Sequence, residues 1–317
     1  MTSYEKRRRS GLNEVRGILL SMMLTAAVFM IAIYLSDDLG GYVKDSLMLS
    51  ARVIIPSIFP FLILTDMITP YLCFEVISPL KKAFEGTFKI SGGAIPIFFC
   101  GILCGFPIGA KMAYDAYRRG TLSRDECDRL TIFSNNASAG YIISAVGVSI
   151  RGSVRDGVIL YISMLLSSIA VGWLLGTRKS KSELSDFNIE QKNSFTESVK
   201  HAASVSINVC AFISTFGIFV GLTRSVVKNE LLSALLIAPL EIGSASLYLA
   251  NSEVYSPLFS IALTSFAISF SGLSVIFQTL AIRDRTDKTD LKLHVIGKLM
   301  QGIISSFITI IIYILLG

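Results

Sequence analysis

Charge is scarce in this chain of 317 residues, because only 16% of them are charged and 52% are hydrophobic. A typical soluble protein carries about 25% charged residues, so a water-soluble globular enzyme of this length is excluded. The few charges form short runs between long apolar stretches, and the mean hydropathy is +0.63. This pattern is typical of a polytopic membrane protein.

Residues that build catalytic and metal sites are also few. The chain has two histidines, and its five cysteines lack the spacing of a zinc or redox pair. The motifs H-E-x-x-H, G-x-S-x-G and G-x-x-x-x-G-K-[ST] are absent. We therefore predict no enzyme activity, no catalytic residue, no metal and no cofactor. Lysine and arginine in cytoplasmic loops account for the net charge of +6, so no nucleic-acid partner is predicted.

Nine apolar stretches predict membrane-embedded segments. The first, 17–35, has nineteen uncharged residues and is roughly 28 Å long as a helix. No small-x-small cleavage site follows it, so an uncleaved anchor is expected. The other stretches are 53–73, 91–110, 130–150, 157–176, 202–223, 231–250, 255–282 and 293–316. Stretches 91–110 and 231–250 are rich in Gly, Ser and Pro and are predicted to be re-entrant hairpins.

The distribution of positive charge supports seven crossings plus these two hairpins. With a cytoplasmic N-terminus, the cytoplasmic segments hold 22 lysines and arginines and the outside segments hold six, with Lys298 placed at a membrane edge. A fully spanning hairpin would reverse the loops that follow it and spoil this asymmetry. We therefore predict a multi-pass cell-membrane protein whose N-terminus is cytoplasmic.

A long helix, a glycine-rich hairpin and a centrally broken helix are predicted twice. Gly109 corresponds to Gly243 and Ser134 to Ser269, at offsets of 134 and 135. The first set begins outside and the second inside, so the repeats are expected to be inverted, which indicates a transporter site near the bilayer midplane. The predicted divisions are an anchor region 1–45, a first repeat 46–150, a linking region 151–197, a second repeat 198–282 and a C-terminal region 283–317.

Four motifs, two in each predicted repeat, stand out. The first repeat has Gly-Phe-Pro-Ile-Gly-Ala-Lys at 105–111 and Phe-Ser-Asn-Asn at 133–136. The second has Leu-Glu-Ile-Gly-Ser at 240–244 and Phe-Ser-Gly-Leu-Ser-Val-Ile-Phe-Gln at 270–278. From about residue 16 onward, their order and spacing resemble the YlbJ-like sporulation integral membrane proteins of the nucleoside-recognition Gate group.

This resemblance implies an all-α, inverted-repeat fold related to concentrative nucleoside transporters, in a membrane around the developing forespore. It implies transport or channelling of a small anionic metabolite, dipicolinic acid. A nucleoside or other small-solute transporter and a non-transporting scaffold in spore morphogenesis stay open as alternatives. So do homo-oligomers and complexes with other sporulation membrane proteins.

The sequence departs from the family pattern at three places. Ser271 replaces a glycine, Ile276 replaces a histidine, and Ser138-Ala139 replaces a Gly-Pro pair. These changes leave the substrate and the role of that histidine open.

Unpaired polar groups at membrane depth need protein, water or a ligand beside them. The polar residues within the apolar stretches, and the Gly and Pro residues that interrupt the helices, are therefore the candidate substrate site. Half-helix N-termini and amide donors are expected to hold an anion, with Lys111 as a cation paired with Glu241. Helix packing, capping, interfacial snorkelling and backbone hydrogen bonding are the structural alternatives. The predicted substrate-binding residues are Gly105, Pro107, Gly109, Lys111, Asn135, Asn136, Glu241, Ser271, Gly272, Ser274 and Gln278.

Overall fold

The computed structural model describes residues 36–72, 78–176, 194–282 and 290–316, together with Met23, Ala26 and Met30. Apart from those three helical positions, the predicted first span at 17–35 lies outside the described residues. Every regular element within the described ranges is a helix. The all-α prediction is confirmed for this part of the chain.

Five of the described helices are long and apolar enough to cross a membrane. They are Asp37–Ile68, Val154–Leu174, Phe195–Val226, Pro257–Ala281 and Leu291–Leu316. A sixth crossing is obtained if the pair Pro79–Phe88 and Gly92–Cys104, bent by 97°, is counted as one span. The total of seven crossings stays a prediction, because the described helices account for five or six.

The first described helix is longer than the sequence predicted. It comprises α1 (Ser36–Leu49), a π-helical segment π1 (Ser50–Ile54) and α2 (Ile55–Leu72). The sequence predicts a span that begins at residue 53, whereas the helix already begins at Ser36. Asp37 and Asp38 lie in the first turn, where carboxylates stabilise a helix N-terminus, and the helix continues from there without interruption.

The first hairpin and the first broken helix follow. Their elements are α3 (Ser78–Phe88), α4 (Ile95–Cys104), α5 (Ile108–Arg118), α6 (Arg124–Ser134) and a π-helical segment π2 (Gly140–Ile150). The helix breaks fall at 105–107, inside the first motif, and at 135–138, beginning at the two asparagines of the second motif. A capping box between Ser123 and Glu126 begins α6, as expected for the sequence Ser-x-x-Glu.

The second half contains the same types of break. Its elements are α7 (Val154–Leu174), α8 (Phe195–Val226), α9 (Glu230–Ile237), α10 (Ile242–Asn251), α11 (Pro257–Phe270), α12 (Gly272–Ala281) and α13 (Leu291–Leu316). The second hairpin breaks at 238–241, and the second broken helix breaks at Ser271. All four breaks were predicted from local sequence, whereas the inverted symmetry between the halves stays a prediction.

Two arginines mark opposite ends of the helix bundle. Arg118, at the end of α5, donates to the carbonyl oxygen of Ile282, just beyond α12, at 3.4 Å. Arg151, after π2, donates to the hydroxyl of Ser260 near the start of α11 at 3.0 Å. Since α11 and α12 follow one another across the bundle, these contacts lie at its two ends.

Candidate functional site

The four helix breaks converge on one cavity, which we call the central cavity. Three breaks contribute to its lining through Phe106, Ser138 and Glu241, and the fourth reaches it through Ser274, in the first turn of the helix that follows the break. Apolar side chains of α2 and α8 complete the wall of this cavity, whose volume is about 40 Å³. Ligand pockets commonly combine an apolar wall with a few polar groups. The lining of the central cavity has this composition.

Close backbone packing holds the first hairpin against the first broken helix. A Cβ atom on Gly109 would lie 2.8 Å from the carbonyl oxygen of Ser134, and one on Gly105 would lie 2.6 Å from the backbone nitrogen of Ser138. Gly105 also has a φ of +78°, which favours glycine. Both glycines pack against protein and do not line the central cavity, while Pro107 lines a neighbouring one.

Backbone hydrogen bonds join the second hairpin to the second broken helix. The amides of Leu273 and Ser274 donate to the carbonyls of Pro239 and Leu240 at 2.8 and 3.1 Å. Ser271 and Gly272 have φ values of +75° and +62°, and this left-handed turn redirects the chain between α11 and α12. The N-terminus of α12 is therefore partnered by the hairpin and not by an open anion site.

Glu241 caps the other half-helix. Its Oε1 accepts from the amide of Gly243 at 2.9 Å and its Oε2 from the amide of Ser244 at 2.5 Å. The side chain is 2% exposed. The expectation that open half-helix N-termini hold an anion was wrong for α10 and α12, because the protein's own groups satisfy those amides. Glu241 is the only charged side chain among the described residues that line the central cavity.

Lys111 lies away from this cavity. It is exposed on α5, whose opposite face buries Gly109 and Ala113, and no ion pair joins it to Glu241 among the described residues. The expected Lys111–Glu241 pair was therefore wrong. The pair does not form because Glu241 accepts hydrogen bonds from backbone amides of its own helix, and because Lys111 lies on the exposed face of the amphipathic α5.

Lys298, placed at a membrane edge by the sequence analysis, is completely buried. Its Nζ donates to the carbonyl oxygen of Asn135 at 2.8 Å, to Oδ1 of Asn136 at 3.2 Å and to Oε1 of Gln301 at 3.0 Å. We call these four residues the Lys298 cluster. A lysine two turns inside an apolar helix was the signal that could have revealed it.

The two asparagines have different partners within this cluster. Asn136 Oδ1 also accepts from Gln301 Nε2 at 2.7 Å, and Asn136 Nδ2 donates to the Phe133 carbonyl at 2.7 Å. Asn135 Nδ2 donates to Thr279 Oγ1 at 2.9 Å, while its Oδ1 is buried without a hydrogen bond among the described residues. Neither asparagine lines the central cavity. The Asn136 amide is therefore used inside the protein.

The remaining polar groups of the second broken helix are better placed for a ligand. The hydroxyls of Ser269, Ser271 and Ser274 are buried and lack hydrogen-bond partners in the described part of the chain. Ser274 and Gln278 both line the central cavity. Gln278 also lines an adjoining cavity of about 270 Å³ beside Pro107. Three of the predicted site residues therefore contribute polar side chains to the wall of the central cavity: Glu241, Ser274 and Gln278.

Comparison with known proteins agrees with the motifs. No family model and no solved structure matches the chain. The sporulation integral membrane protein YlbJ of Bacillus subtilis strain 168 is 24% identical over 313 residues, covering 85% of this chain and 76% of that protein. The resemblance to YlbJ is confirmed. Together with the apolar helices, it identifies this chain as a multi-pass membrane protein.

The departures from the YlbJ-like pattern occupy different surroundings. Ile276, in place of a histidine, is 2% exposed and does not line the central cavity. Ser138 does line it, and the Ser138 hydroxyl accepts from the amide of Tyr141 at 3.2 Å. Only the Ser138 departure therefore changes the chemistry of the cavity wall directly.

Proposed function

We propose that this YlbJ-like protein is a transporter or channel that moves a small metabolite across a membrane of a sporulating cell. The observation that carries the proposal is the convergence of four helix breaks on the central cavity. Interrupted helices expose backbone groups that are tolerated at membrane depth only beside protein, water or ligand, and such breaks form the substrate sites of many transporters.

A series of cavities along α8 supports a path through the protein. Asn208 and Phe212 line the cavity beside Pro107, and Ile213 lines the central cavity. Gly217 and Arg224 line a third cavity of about 420 Å³. Residues 208 to 224 cover roughly 24 Å of helix. The three cavities therefore follow one another over most of the thickness of a bilayer core.

Dipicolinate, the small anionic substrate implied by the sequence resemblance, is our first candidate. Phe106 and Tyr141 offer aromatic faces in the wall of the central cavity, and Ser274 and Gln278 offer hydrogen-bond donors. An ionised Glu241 would repel a dianion. We therefore expect dipicolinate to pass together with a proton, carried either by the substrate or by Glu241.

A nucleoside is the second candidate, and the Glu241 carboxylate is the observation that favours it. Sugar hydroxyls donate hydrogen bonds, and a buried carboxylate is a strong acceptor for them. The cavity wall offers no cation among its described residues that would select an anion over a neutral ring compound. The two candidates differ in their expected pH dependence.

Uptake into vesicles that contain only this protein tests the proposal. Labelled dipicolinate uptake should rise as the pH falls from about 7 to about 5, towards the ordinary pKa range of carboxyl groups, because protonation removes charge repulsion. Labelled uridine uptake should fall, because the carboxylate loses acceptor strength. If neither compound nor a panel of small metabolites enters faster than into protein-free vesicles, the transport proposal is contradicted and a scaffold is favoured.

A matched pair of variants on α8 provides the control. Val209 lines both the central cavity and the adjoining one, whereas Ile207 is 69% exposed on the other face of the helix. Val209→Trp should reduce uptake at least tenfold by filling the passage, while Ile207→Trp should leave it within twofold. Equal uptake by the two variants would remove the central cavity from the path.

A further inference from the structure

Lys298 is a buried cation that has no described carboxylate as an ion-pair partner. It lies within α13, one of the helices apolar enough to cross the membrane. A charge at membrane depth is costly and is retained where specific groups stabilise it. The contacts of the Lys298 cluster show how this stabilisation is achieved.

The ammonium group is surrounded by neutral oxygens. Lysine has three N–H donors, and three oxygens accept from Lys298 Nζ at 2.8, 3.0 and 3.2 Å. One of them is the backbone carbonyl of Asn135, the residue that ends α6. Carbonyls at a helix C-terminus carry partial negative charge, so this position attracts a cation.

Oxygen sets of this kind hold free ions in other broken-helix membrane proteins, where unwound carbonyls and half-helix C-termini coordinate a coupling cation. Here the three oxygens already accept hydrogen bonds from an ammonium group that is covalently attached to α13. We propose that Lys298 is a tethered cation that permanently occupies a monovalent-cation site at the break between α6 and π2. This break then requires no free sodium or potassium ion.

If the protein is a transporter, as proposed above, solute uptake should not require sodium or potassium binding at this break. This consequence rests on the proposed function. The site itself can be tested without transport, through the thermal stability of the purified full-length protein. A failure to carry any solute would therefore leave the test of the cation site intact.

Chemical rescue is the decisive experiment. Lys298→Ala removes three methylene groups and the ammonium, which together correspond to propylammonium. We expect the Tm of Lys298→Ala to fall by roughly 5 °C or more, because each of three buried acceptors loses a hydrogen bond from the ammonium group. Propylammonium chloride should restore it with a saturable dose dependence, whereas the neutral isostere 1-propanol should not. Lys292→Ala, at an exposed position of the same helix, should keep the wild-type Tm and show no propylammonium effect.

Lys298→Met provides a second variant that fills the space without a charge. Its Tm should also fall, because the space stays filled while the three oxygens lose the ammonium donor. Wild-type stability of Lys298→Met would overturn the proposal, and so would failure of propylammonium to stabilise a folded Lys298→Ala. A rise in wild-type Tm when sodium or potassium replaces choline would also overturn it, since the site would then still accept a free ion.

Discussion

Adjacent residues of the same type have unequal roles in this protein. Asn136 uses Oδ1 to accept from both Lys298 and Gln301, and its Nδ2 donates to the Phe133 carbonyl and the Ser168 hydroxyl. Asn135 contributes one side-chain hydrogen bond, to Thr279, and leaves Oδ1 without a partner in the described part of the chain. The sequence offered equal grounds for a ligand role and a structural role for both.

We therefore predict that Asn136→Ala lowers membrane abundance and Tm, while Asn135→Ala has a smaller effect. Removing Asn136 leaves several buried groups unpaired, at about 1–3 kcal/mol each, whereas removing the Asn135 side chain releases one donor contact. Abundance in membranes and the Tm of purified protein measure the difference. Equal stability of both variants, with uptake lost in each, would instead assign the two asparagines to the substrate.

Helix breaks depend on residues that accept unusual backbone angles. Ser271 separates α11 from α12 with a φ of +75°, and it is a serine where the YlbJ-like pattern has glycine. Residues with a Cβ lose about 1–2 kcal/mol in this conformation. The Ser271 hydroxyl finds no compensating partner in the described part of the chain.

Ser271→Gly should therefore raise the Tm by a few degrees, and Ser271→Val should lower it by more, because a β-branched residue tolerates a positive φ poorly. Thermal unfolding of the purified variants measures both effects. Gly86→Ala is a suitable control, since a Cβ there meets no atom within 4 Å and α3 lies far along the chain. A lower Tm for Ser271→Gly would show that the hydroxyl stabilises this break.

The orientation of the bundle in the membrane is a prediction from the charge count that can be measured directly. Arg118 and Ile282 are in contact at one end, and Arg151 and Ser260 at the other. The charge count predicts that the first end is cytoplasmic, because loops rich in lysine and arginine stay inside.

Single-cysteine labelling tests this orientation in a variant whose five native cysteines are replaced. Val154, just after Arg151, is 61% exposed, and Arg119, beside Arg118, is exposed as well. A membrane-impermeant maleimide added to intact cells should modify Val154→Cys and spare Arg119→Cys until the membrane is permeabilised. The reverse pattern would invert the predicted topology.

Local sequence was sufficient to find the long apolar helices and the four interruptions, but not the start of the first described helix at Ser36. Long apolar stretches must be helical in a bilayer because every backbone group needs a partner. Glycine, proline and paired asparagines within such stretches marked the breaks at Gly105, Asn135, Glu241 and Gly272, all of which lie at or next to breaks in the structure. The presence of helices and the positions of breaks are set by neighbours along the chain, and therefore they can be read from it.

The partners of the charged residues depended on the folded arrangement. Glu241 accepts hydrogen bonds at the start of its own helix, Lys111 faces outward, and Lys298 meets the break after α6 from more than 160 positions away in the chain. A charged residue inside an apolar stretch indicates that a partner exists. Its identity cannot be predicted from the sequence, because it depends on which helices pack together. Convergence of all four breaks on one cavity is decided in the same way, by packing between segments distant in sequence.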